Sequence, residues 1–328
     1  MKSSLVCIVI VNWNGGQKII DCLKSLKKTS YKNYKVILVD NGSEDESVKS
    51  LKKINRKIDV IYLPKNFGYT IAMNLGWKHA LKKYNADYIC AMDSDIITIQ
   101  NDWLDVQIKE LEKDDRYGIS GGKLVFPDNR LQLLYLERVT NNYSEKDNGQ
   151  YDFIKETKAV GGACIIIKSD VIKNIGYYDE NFFYGPNDID YCLRAGKDKP
   201  YEVLSHCGDI LKGNVYGFKT LYNGFSKSIH NGSSSYLATD NTKIFEAQSK
   251  GNILFVFRHY GGIAGFKMIC RQFVRVFVTR KKPFEPITFS NLNVHKQFFK
   301  RFGLFIKSIR DSLDYNAIKK GNYERFIQ

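Results

Sequence analysis

The segment Asp93-Ser94-Asp95 carries two carboxylates at positions i and i+2, directly after the apolar run Tyr88–Met92. Such a run predicts a buried strand, and side chains two residues apart on an extended segment point the same way. Carboxylate oxygens are the ligands that Mg²⁺ and Mn²⁺ prefer, usually shared with the phosphates of a substrate. The pair therefore predicts a divalent-metal site. A solvated acidic turn is the alternative, because D-x-D triplets are common.

Polar side chains also follow three earlier apolar runs. They are Asn12 and Asn14 after Leu5–Val11, Asp40 and Asn41 after Val36–Val39, and Asn66 after Asp59–Leu63. Helical periodicity between the runs predicts alternating strands and helices, and hence a parallel sheet with helices on both faces. Ligands bind such sheets beyond the carboxyl ends of the strands. These side chains are therefore predicted to line one site at that edge.

Hydrophobic periodicity predicts the remaining elements. Helices are predicted over Gly15–Lys28, from Ser43 through Ile54, over Thr70–Lys83, over Asp102–Lys113, over 169–175 and over 188–195. Strands are predicted over Gly118–Phe126 and Ala159–Ile167, a loop over 141–158, and a basic helical region from Ile253 onward. Residues 196–246 show no clear period.

Composition and motifs exclude several classes of protein. With 43% hydrophobic and 26% charged residues over 328 positions, the chain is typical of a soluble globular protein and unlike a fibrous, disordered or polytopic membrane protein. The first strand is not followed by G-x-G-x-x-G, which argues against a dinucleotide-dependent dehydrogenase. The sequence contains no G-x-x-x-x-G-K-[ST], which argues against a P-loop NTPase. Seven cysteines without a C-x-x-C pair indicate reduced, buried thiols. Together with the lack of a long apolar stretch, this predicts a cytoplasmic protein.

The net charge of +15 is concentrated at one end of the chain. Residues 248–328 hold 16 Lys/Arg against 4 Asp/Glu and so account for +12 of it. A basic, aromatic tail attracts polyanions, either nucleic acid or an anionic membrane surface. Zinc-finger, RRM and KH signatures are absent from the sequence, so that nucleic acid is not expected as a partner.

Six segments of the chain together resemble the inverting glycosyltransferases of family 2, particularly their rhamnosyltransferase-like branch. The segments are IVIVNWNGG (8–16), VILVDNGSEDES (36–47), LPKNFGYTIAMNLG (63–76), MDSD (92–95), VGGACIIIKSDVIKNIGYYDENFF (160–183) and NDIDYCLR (187–194). The resemblance covers most of residues 5–235. It implies the α/β GT-A fold, a Rossmann-like mixed, mostly parallel sheet flanked by helices, here with a basic, mainly helical C-terminal extension.

The resemblance also implies roles for particular residues. Asp40 is expected to accept the N3–H of a uridine or thymidine base. Asp95, helped by Asp93, is expected to hold Mn²⁺ or Mg²⁺ against the donor diphosphate. Asp188 corresponds to the family's catalytic base, with Asn187 where the family usually has Glu. The segment around His230 resembles one that completes the metal site or contacts the diphosphate, and His206 is a rival for that role. The nucleotide-binding residues are expected to include Asn12, Asn41, Asn66, Gly68 and Asp93 besides Asp40.

A domain organisation and a set of partners follow. Residues 1–247 are expected to form the catalytic domain, with a nucleotide-binding half over 1–100 and an acceptor half over 101–247. The expected partners are a nucleotide-sugar donor, with dTDP or UDP favoured, and a glycan or lipid-linked saccharide acceptor of cell-surface polysaccharide or glycoconjugate synthesis. Residues 248–328 would either contact an anionic membrane from the cytoplasmic side or pack on the core with a solvated basic face. A basic nucleic-acid- or membrane-binding scaffold without transferase activity is the alternative reading.

Overall fold

The computed structural model describes residues 3–47, 58–132, 135, 145–183, 185–196, 201–204, 210–213, 217–232, 250–256, 258–260, 263 and 266–267. Of the predictions above, the continuation of the second helix beyond residue 47, the rival ligand His206 and the basic tail after residue 267 lie outside these residues.

Four parallel strands form one half of the main sheet. They are β1 (Val6–Asn12), β2 (Tyr34–Asp40), β3 (Asp59–Tyr62) and β4 (Tyr88–Asp93), in the spatial order β3-β2-β1-β4. The register places Asn12 opposite Asp40 and Val11 opposite Asp93. The polar ends of these strands therefore meet at one edge of the sheet, and the predicted parallel arrangement is confirmed.

Helices cover this half on both faces, and they bury the apolar residues Val6–Val11 of β1 on both sides of the sheet. The helices of this region are α1 (Gly16–Leu26), α2 (Tyr69–Tyr84) and α3 (Trp103–Leu111). Ile8 belongs to the same buried cluster as Ile19 of α1, whereas Val9 belongs to the opposite cluster with α2. Each fully buried aliphatic side chain of this kind contributes about 1.5–3 kcal/mol. Helix α2 lies close to the sheet at Gly76, where a Cβ atom would stand 2.3 Å from Val9.

The second half of the sheet is mixed. Its strands are β5 (Ile96–Thr98), β6 (Tyr117–Val125), β7 (Ile154–Thr157), β8 (Cys164–Lys168) and β11 (Lys219–His230), while β9 (Tyr201–Leu204) and β10 (Ile210–Gly213) form a separate hairpin. The order continues as β4-β8-β6-β11-β5, with β7 beside β11. Strand β8 is antiparallel to β4 and β6, whereas β11 is parallel to β6. Helix α4 (Ser169–Ile175) follows β8, and helix α5 (Asn187–Ala195) precedes the hairpin.

Strand β11 lies in the stretch for which the sequence predicted no regular structure. Its interior holds Asn223, Ser226 and Ser228, all buried. Asn223 Nδ2 donates to the carbonyl of Val106 at 3.1 Å, and Ser226 Oγ donates to that of Trp103 at 3.0 Å. Because hydrogen bonds to α3 satisfy these polar groups, the strand is buried without an apolar pattern. Strand β7 likewise occupies part of the predicted loop 141–158.

Residues 250–256 and 258–260 are helical and are called the C-terminal segment below. Ile253 and Leu254 are buried in it. A Cβ atom on Gly251 would stand 2.5 Å from the carbonyl oxygen of Gly185, so this segment packs closely on the loop that leads into α5. Among the helices that the structure describes, none has both the length and the apolar character that crossing a membrane requires.

Candidate active site

Three potential metal ligands converge at the carboxyl end of β4. Asp93 ends that strand, Asp95 lies in the turn before β5, and His230 ends β11. One ligand atom of each lies within 4.8 Å of the others. His230 Nε2 stands 3.4 Å from Asp95 Oδ1 and 3.8 Å from Asp93 Oδ2. The structure therefore brings together the three predicted metal ligands, through a turn instead of the extended segment expected from the sequence.

Strand pairing and one glutamine fix the position of His230. Its backbone pairs with Ile96 in the antiparallel β5–β11 ladder. The side-chain amide of Gln132 makes two contacts with His230, each of 2.7 Å. Gln132 Nε2 donates to the backbone carbonyl of His230, and Gln132 Oε1 lies against the ring nitrogen Nδ1 of His230. An amide oxygen can only accept, so Nδ1 of His230 carries a proton, and Nε2 is the ring nitrogen that faces the two carboxylates.

The charges in this cluster perturb one another. Burial among neighbouring side chains raises the pKa of Asp93 to about 7, with further increases from Asp95 and Asp188 and opposition from His230 and Tyr69. Burial alone would lower the pKa of His230, but the two carboxylates beside it raise it above its usual value. Asp95 and Asp188 thus both disfavour the ionisation of Asp93, and a divalent cation would relieve this repulsion.

A hydrogen-bonded cluster lies at the ends of β1 and β2. Asn12 Nδ2 donates to Asp40 Oδ1 at 3.3 Å, to Ser43 Oγ at 3.1 Å and to Ser47 Oγ at 3.2 Å. Ser43 Oγ donates to the same Asp40 oxygen at 2.5 Å. Burial raises the pKa of Asp40, although these hydrogen bonds oppose the increase. Asn12 Oδ1 is buried and has no hydrogen-bond partner among the residues that the structure describes.

Asn41, Asn66 and Gly68 build the neighbouring loop. Asn41 Nδ2 donates to Asn66 Oδ1 at 3.0 Å and to the Gly68 carbonyl at 3.2 Å, and Asn41 Oδ1 accepts from the amide of Phe67 at 2.9 Å. Gly68 has a φ of 94°, and a Cβ atom there would stand 2.6 Å from the ring of Phe183. These residues shape the loop at the predicted nucleotide side, and their direct contact with a nucleotide stays a prediction.

Asp188 lies in the first turn of α5, beside the segment that precedes β8. Its Oδ2 accepts a hydrogen bond of 2.6 Å from the amide of Gly162, and a Cβ atom on Gly162 would stand 2.4 Å from Asp188 Cβ. Ala163 directly follows Gly162, and its carbonyl accepts a hydrogen bond of 2.8 Å from the amide of Asp93. One short segment thus adjoins both the predicted base and the metal-ligand strand. Burial raises the pKa of Asp188.

Helix α2, which follows the Asn66–Gly68 loop, contacts the segment before α5. Asn74 Nδ2 donates to the carbonyl of Tyr178 at 2.9 Å, and the amide of Tyr178 donates back to Asn74 Oδ1 at 3.0 Å. The Thr70 hydroxyl donates to the carbonyl of Phe182. Both the nitrogen and the oxygen of the Asn74 side-chain amide are therefore engaged in this structural contact.

Two residues of the site were missed by reasoning from the sequence. Tyr69 forms a hydrogen bond with Asp93, and it directly follows the Asn66-Phe67-Gly68 segment, so proximity to that motif could have indicated it. Gln132 orients His230 from a stretch without any recognisable pattern. Its part in the site depends entirely on the tertiary fold.

The sequence model of glycosyl transferase family 2 matches residues 7–176. This match covers more than half of the chain, and the protein therefore belongs to glycosyl transferase family 2. The matched region includes Asp40, Asp93 and Asp95 but ends before α5 and β11.

Curated relatives are similar over part of their lengths. An uncharacterized glycosyltransferase of Haemophilus influenzae is 33% identical over 33% of this chain and 42% of its own. An uncharacterized glycosyltransferase of Rickettsia typhi is 27% identical over 56% of each chain. The poly-beta-1,6-N-acetyl-D-glucosamine synthase of Staphylococcus aureus is 24% identical over 65% of this chain and 51% of its own. The matches thus span about half the length of these relatives.

Solved structures share the fold over nearly the whole chain. The mannosyltransferase PcManGT of Pyrobaculum calidifontis, in complex with GDP-Man and Mn²⁺, aligns with a TM-score of 0.53 at 12% identity, over 94% of this chain and 75% of its own. Residues 1–349 of S. aureus TarS, in complex with UDP-GlcNAc, align with a TM-score of 0.51 at 17% identity, over 93% and 81%. The predicted GT-A fold is confirmed.

Proposed function

We propose that this protein is an inverting glycosyltransferase that moves a sugar from a nucleotide-sugar donor to a hydroxyl group of a glycan or lipid-linked saccharide. The observation that carries the proposal is the convergence of Asp93, Asp95 and His230 at the sheet edge, with Asp188 adjoining the same strand end through residues 162–163. Family membership supports the reaction class. The complexes of its structural neighbours with GDP-Man and UDP-GlcNAc support the donor class.

Divalent metal dependence belongs to the proposal. Two carboxylates and an imidazole nitrogen whose tautomer is fixed by Gln132 form a donor set that suits Mn²⁺ or Mg²⁺. The Mn²⁺ in the PcManGT complex supports this assignment. When bound, such an ion supplies positive charge that stabilises the departing nucleoside diphosphate.

Asp40 is the residue proposed to read the nucleotide base. Asn12 and Ser43 both donate to its Oδ1, which orients the carboxylate at the end of β2. An ionised carboxylate can accept the N3–H of uracil or thymine, so dTDP- or UDP-linked sugars are the proposed donors. The rhamnosyltransferase-like branch is supported only by the sequence motifs.

Asp188 is the proposed general base. The acceptor hydroxyl oxygen bonds to the anomeric carbon while the bond from that carbon to the diphosphate oxygen breaks, and Asp188 receives the hydroxyl proton. The Gly162 hydrogen bond to Oδ2 fixes the orientation of the carboxylate. A pKa raised by burial brings the carboxylate closer to the range in which a general base is effective.

The reaction is proposed to take place at the cytoplasmic surface of an anionic membrane, which the protein would contact. The side chains of Tyr260, Ile263 and Phe266 are 58%, 79% and 65% exposed. They lie in the basic region 248–328, which contains 16 Lys/Arg and only 4 Asp/Glu. Exposed apolar side chains among cations are typical of an interfacial helix, and this position would suit a lipid-linked acceptor.

The test is a panel of dTDP-, UDP- and GDP-sugars, with and without Mn²⁺, read by thermal shift and by release of the nucleoside diphosphate. One nucleotide class should stabilise the protein in a metal-dependent way, by about 2.7 kcal/mol at 100 Kd. Asp95→Asn should lose this shift, whereas the control Asp128→Asn, at an exposed ion pair, should keep it. Stabilisation by nucleic acid or liposomes with no nucleotide effect would identify a binding scaffold instead.

A further inference from the structure

The C-terminal segment supplies a guanidinium and an imidazole to the first turn of α5. Arg258 Nη1 lies 2.8 Å from Asp190 Oδ1, and its Nη2 binds Asp179 Oδ2. His259 Nε2 lies 2.8 Å from the same Asp190 oxygen. Both carboxylates are completely buried. Arg258 and His259 come from beyond residues 7–176, the stretch that matches the family model.

Asp190 is held from both sides. Its second oxygen, Oδ2, accepts from Arg194 Nε at 2.8 Å, one turn further along α5. Burial opposes the ionisation of Asp190, but Arg258, Arg194 and His259 outweigh it and hold the pKa well below its usual range. If one partner moved away, the buried charge of Asp190 would be poorly compensated, which is energetically costly. The members of this cluster are therefore held in one arrangement.

The same segment packs on the loop that enters α5. Gly251 adjoins the carbonyl oxygen of Gly185, and the Arg258 guanidinium lies 5.5 Å from the ring centroid of Phe182. Ile253 of this segment is fully buried. The C-terminal segment therefore fixes both the entrance and the first turn of α5.

We propose that Arg258 and His259 are positioning residues for Asp188. Asp188 and Asp190 share the first turn of α5, so anchoring Asp190 sets the rotation of that turn and with it the contact between Asp188 Oδ2 and the Gly162 amide. The inference rests on the proposed function only for the role of Asp188 as the base. The acceptor side of the active site consequently extends past residue 247 and includes the C-terminal segment.

The first test requires no substrate. Hydrogen–deuterium exchange of the Gly162 amide is measured in the full-length wild type, in Arg258→Gln, in Arg258→Lys and in the matched control Arg116→Gln, which removes an exposed ion pair with Asp114. Exchange should become about tenfold faster in Arg258→Gln, increase less in Arg258→Lys and stay unchanged in the control. A folded Arg258→Gln protein with wild-type exchange at Gly162 would overturn the proposal. If Arg258→Gln does not fold, His259→Gln is judged by the same criterion.

The second test uses the nucleotide sugar that the donor panel identifies. Arg258→Gln should lower kcat by about 10- to 100-fold through misplacement of the base, shift the acid limb of the kcat–pH profile, and leave KM for the donor unchanged. A purely structural role would reduce the amount of active enzyme without moving the profile, and that outcome contradicts the proposal. Absence of transfer by the wild type would count against the proposed function, whereas the exchange experiment would still decide the positioning role.

Discussion

The amide of Gly162 donates a hydrogen bond of 2.6 Å to Asp188 Oδ2, and the two residues are so close that a Cβ atom on Gly162 would stand 2.4 Å from Asp188 Cβ. The contact joins α5 to the segment before β8, whose Ala163 carbonyl accepts from the amide of Asp93. The proposed base and the proposed metal ligand are therefore positioned by adjacent residues of one segment.

Gly162→Ala should displace Asp188, because the added methyl group meets backbone-proximal atoms of α5 that cannot rotate away. The expected result is a fall in kcat of about 100-fold, with donor affinity nearly unchanged. Steady-state kinetics and nucleotide titration together measure the two quantities. Gly196→Ala is the matched control, since a Cβ atom there stands no closer than 3.5 Å to another group. An equal loss of activity in both variants would contradict the interpretation.

Asp188 should lower the stability of the protein at neutral pH. Burial raises its pKa, so that between the unfolded and the folded pKa the native state binds more protons and stability decreases as pH rises. Asp188→Asn removes this penalty and can still accept from Gly162. The variant should be more stable than the wild type at pH 7, equally stable below pH 4, and inactive.

Urea unfolding at the two pH values measures the difference in stability. Asp170→Asn is the control, because Asp170 forms an exposed ion pair with Lys173. An inactive variant no more stable than wild type at pH 7 would contradict the pKa assignment.

Gln132→Met should weaken metal binding without altering any proposed ligand. The substitution removes the acceptor that holds the proton on Nδ1 of His230. Loss of such a partner to a ligating histidine typically costs about 10- to 100-fold in affinity. Mn²⁺ titration by calorimetry or electron paramagnetic resonance measures it, with Gln150→Met at an exposed position as the control. Wild-type Mn²⁺ affinity in the folded variant would show that His230 does not depend on Gln132.

Asp59 should stabilise the protein in a manner that acid abolishes. Burial opposes its ionisation, but hydrogen bonds from Lys83, His79 and Tyr84 lower its pKa to about 2. A depressed carboxyl pKa contributes stability above the unfolded value near 3.9, and this contribution is lost as pH falls toward 2. Asp59→Asn should cost about 1–2 kcal/mol at pH 7 and nearly nothing at pH 2. Urea unfolding at both pH values tests this. A similar difference at the two values would point to packing instead of charge.

The half of the fold that contains β1 to β4 was predictable from the sequence because local patterns determine it. The runs Val6–Val11, Val36–Val39 and Tyr88–Met92 in β1, β2 and β4 are apolar, and each is followed by a polar residue of the predicted site. Since parallel strands bring their carboxyl ends to one edge, Asp40 and Asp93 can be assigned to a common site from the amino-acid sequence alone.

The other half depends on contacts between distant parts of the chain. Strand β11 mixes apolar residues with buried Asn223 and Ser226, which only their bonds to α3 make compatible with a core. Gln132 and Arg258 lie in stretches whose local sequence indicates neither a ligand nor a partner. Each acquires its place through residues far away in sequence, so no local pattern could indicate them.

Strand β11 also bears on the order in which the molecule assembles. His230 pairs with Ile96, more than 130 residues earlier, and it can reach Asp95 only once β11 has joined the sheet between β6 and β5. Closing a loop of that length comes late, because its entropy is lost before the contacts that it makes are gained. During refolding, strands β1 to β4 should therefore gain structure before His230 reaches the two carboxylates, so the three-residue cluster forms later than the strand ends that hold two of its members.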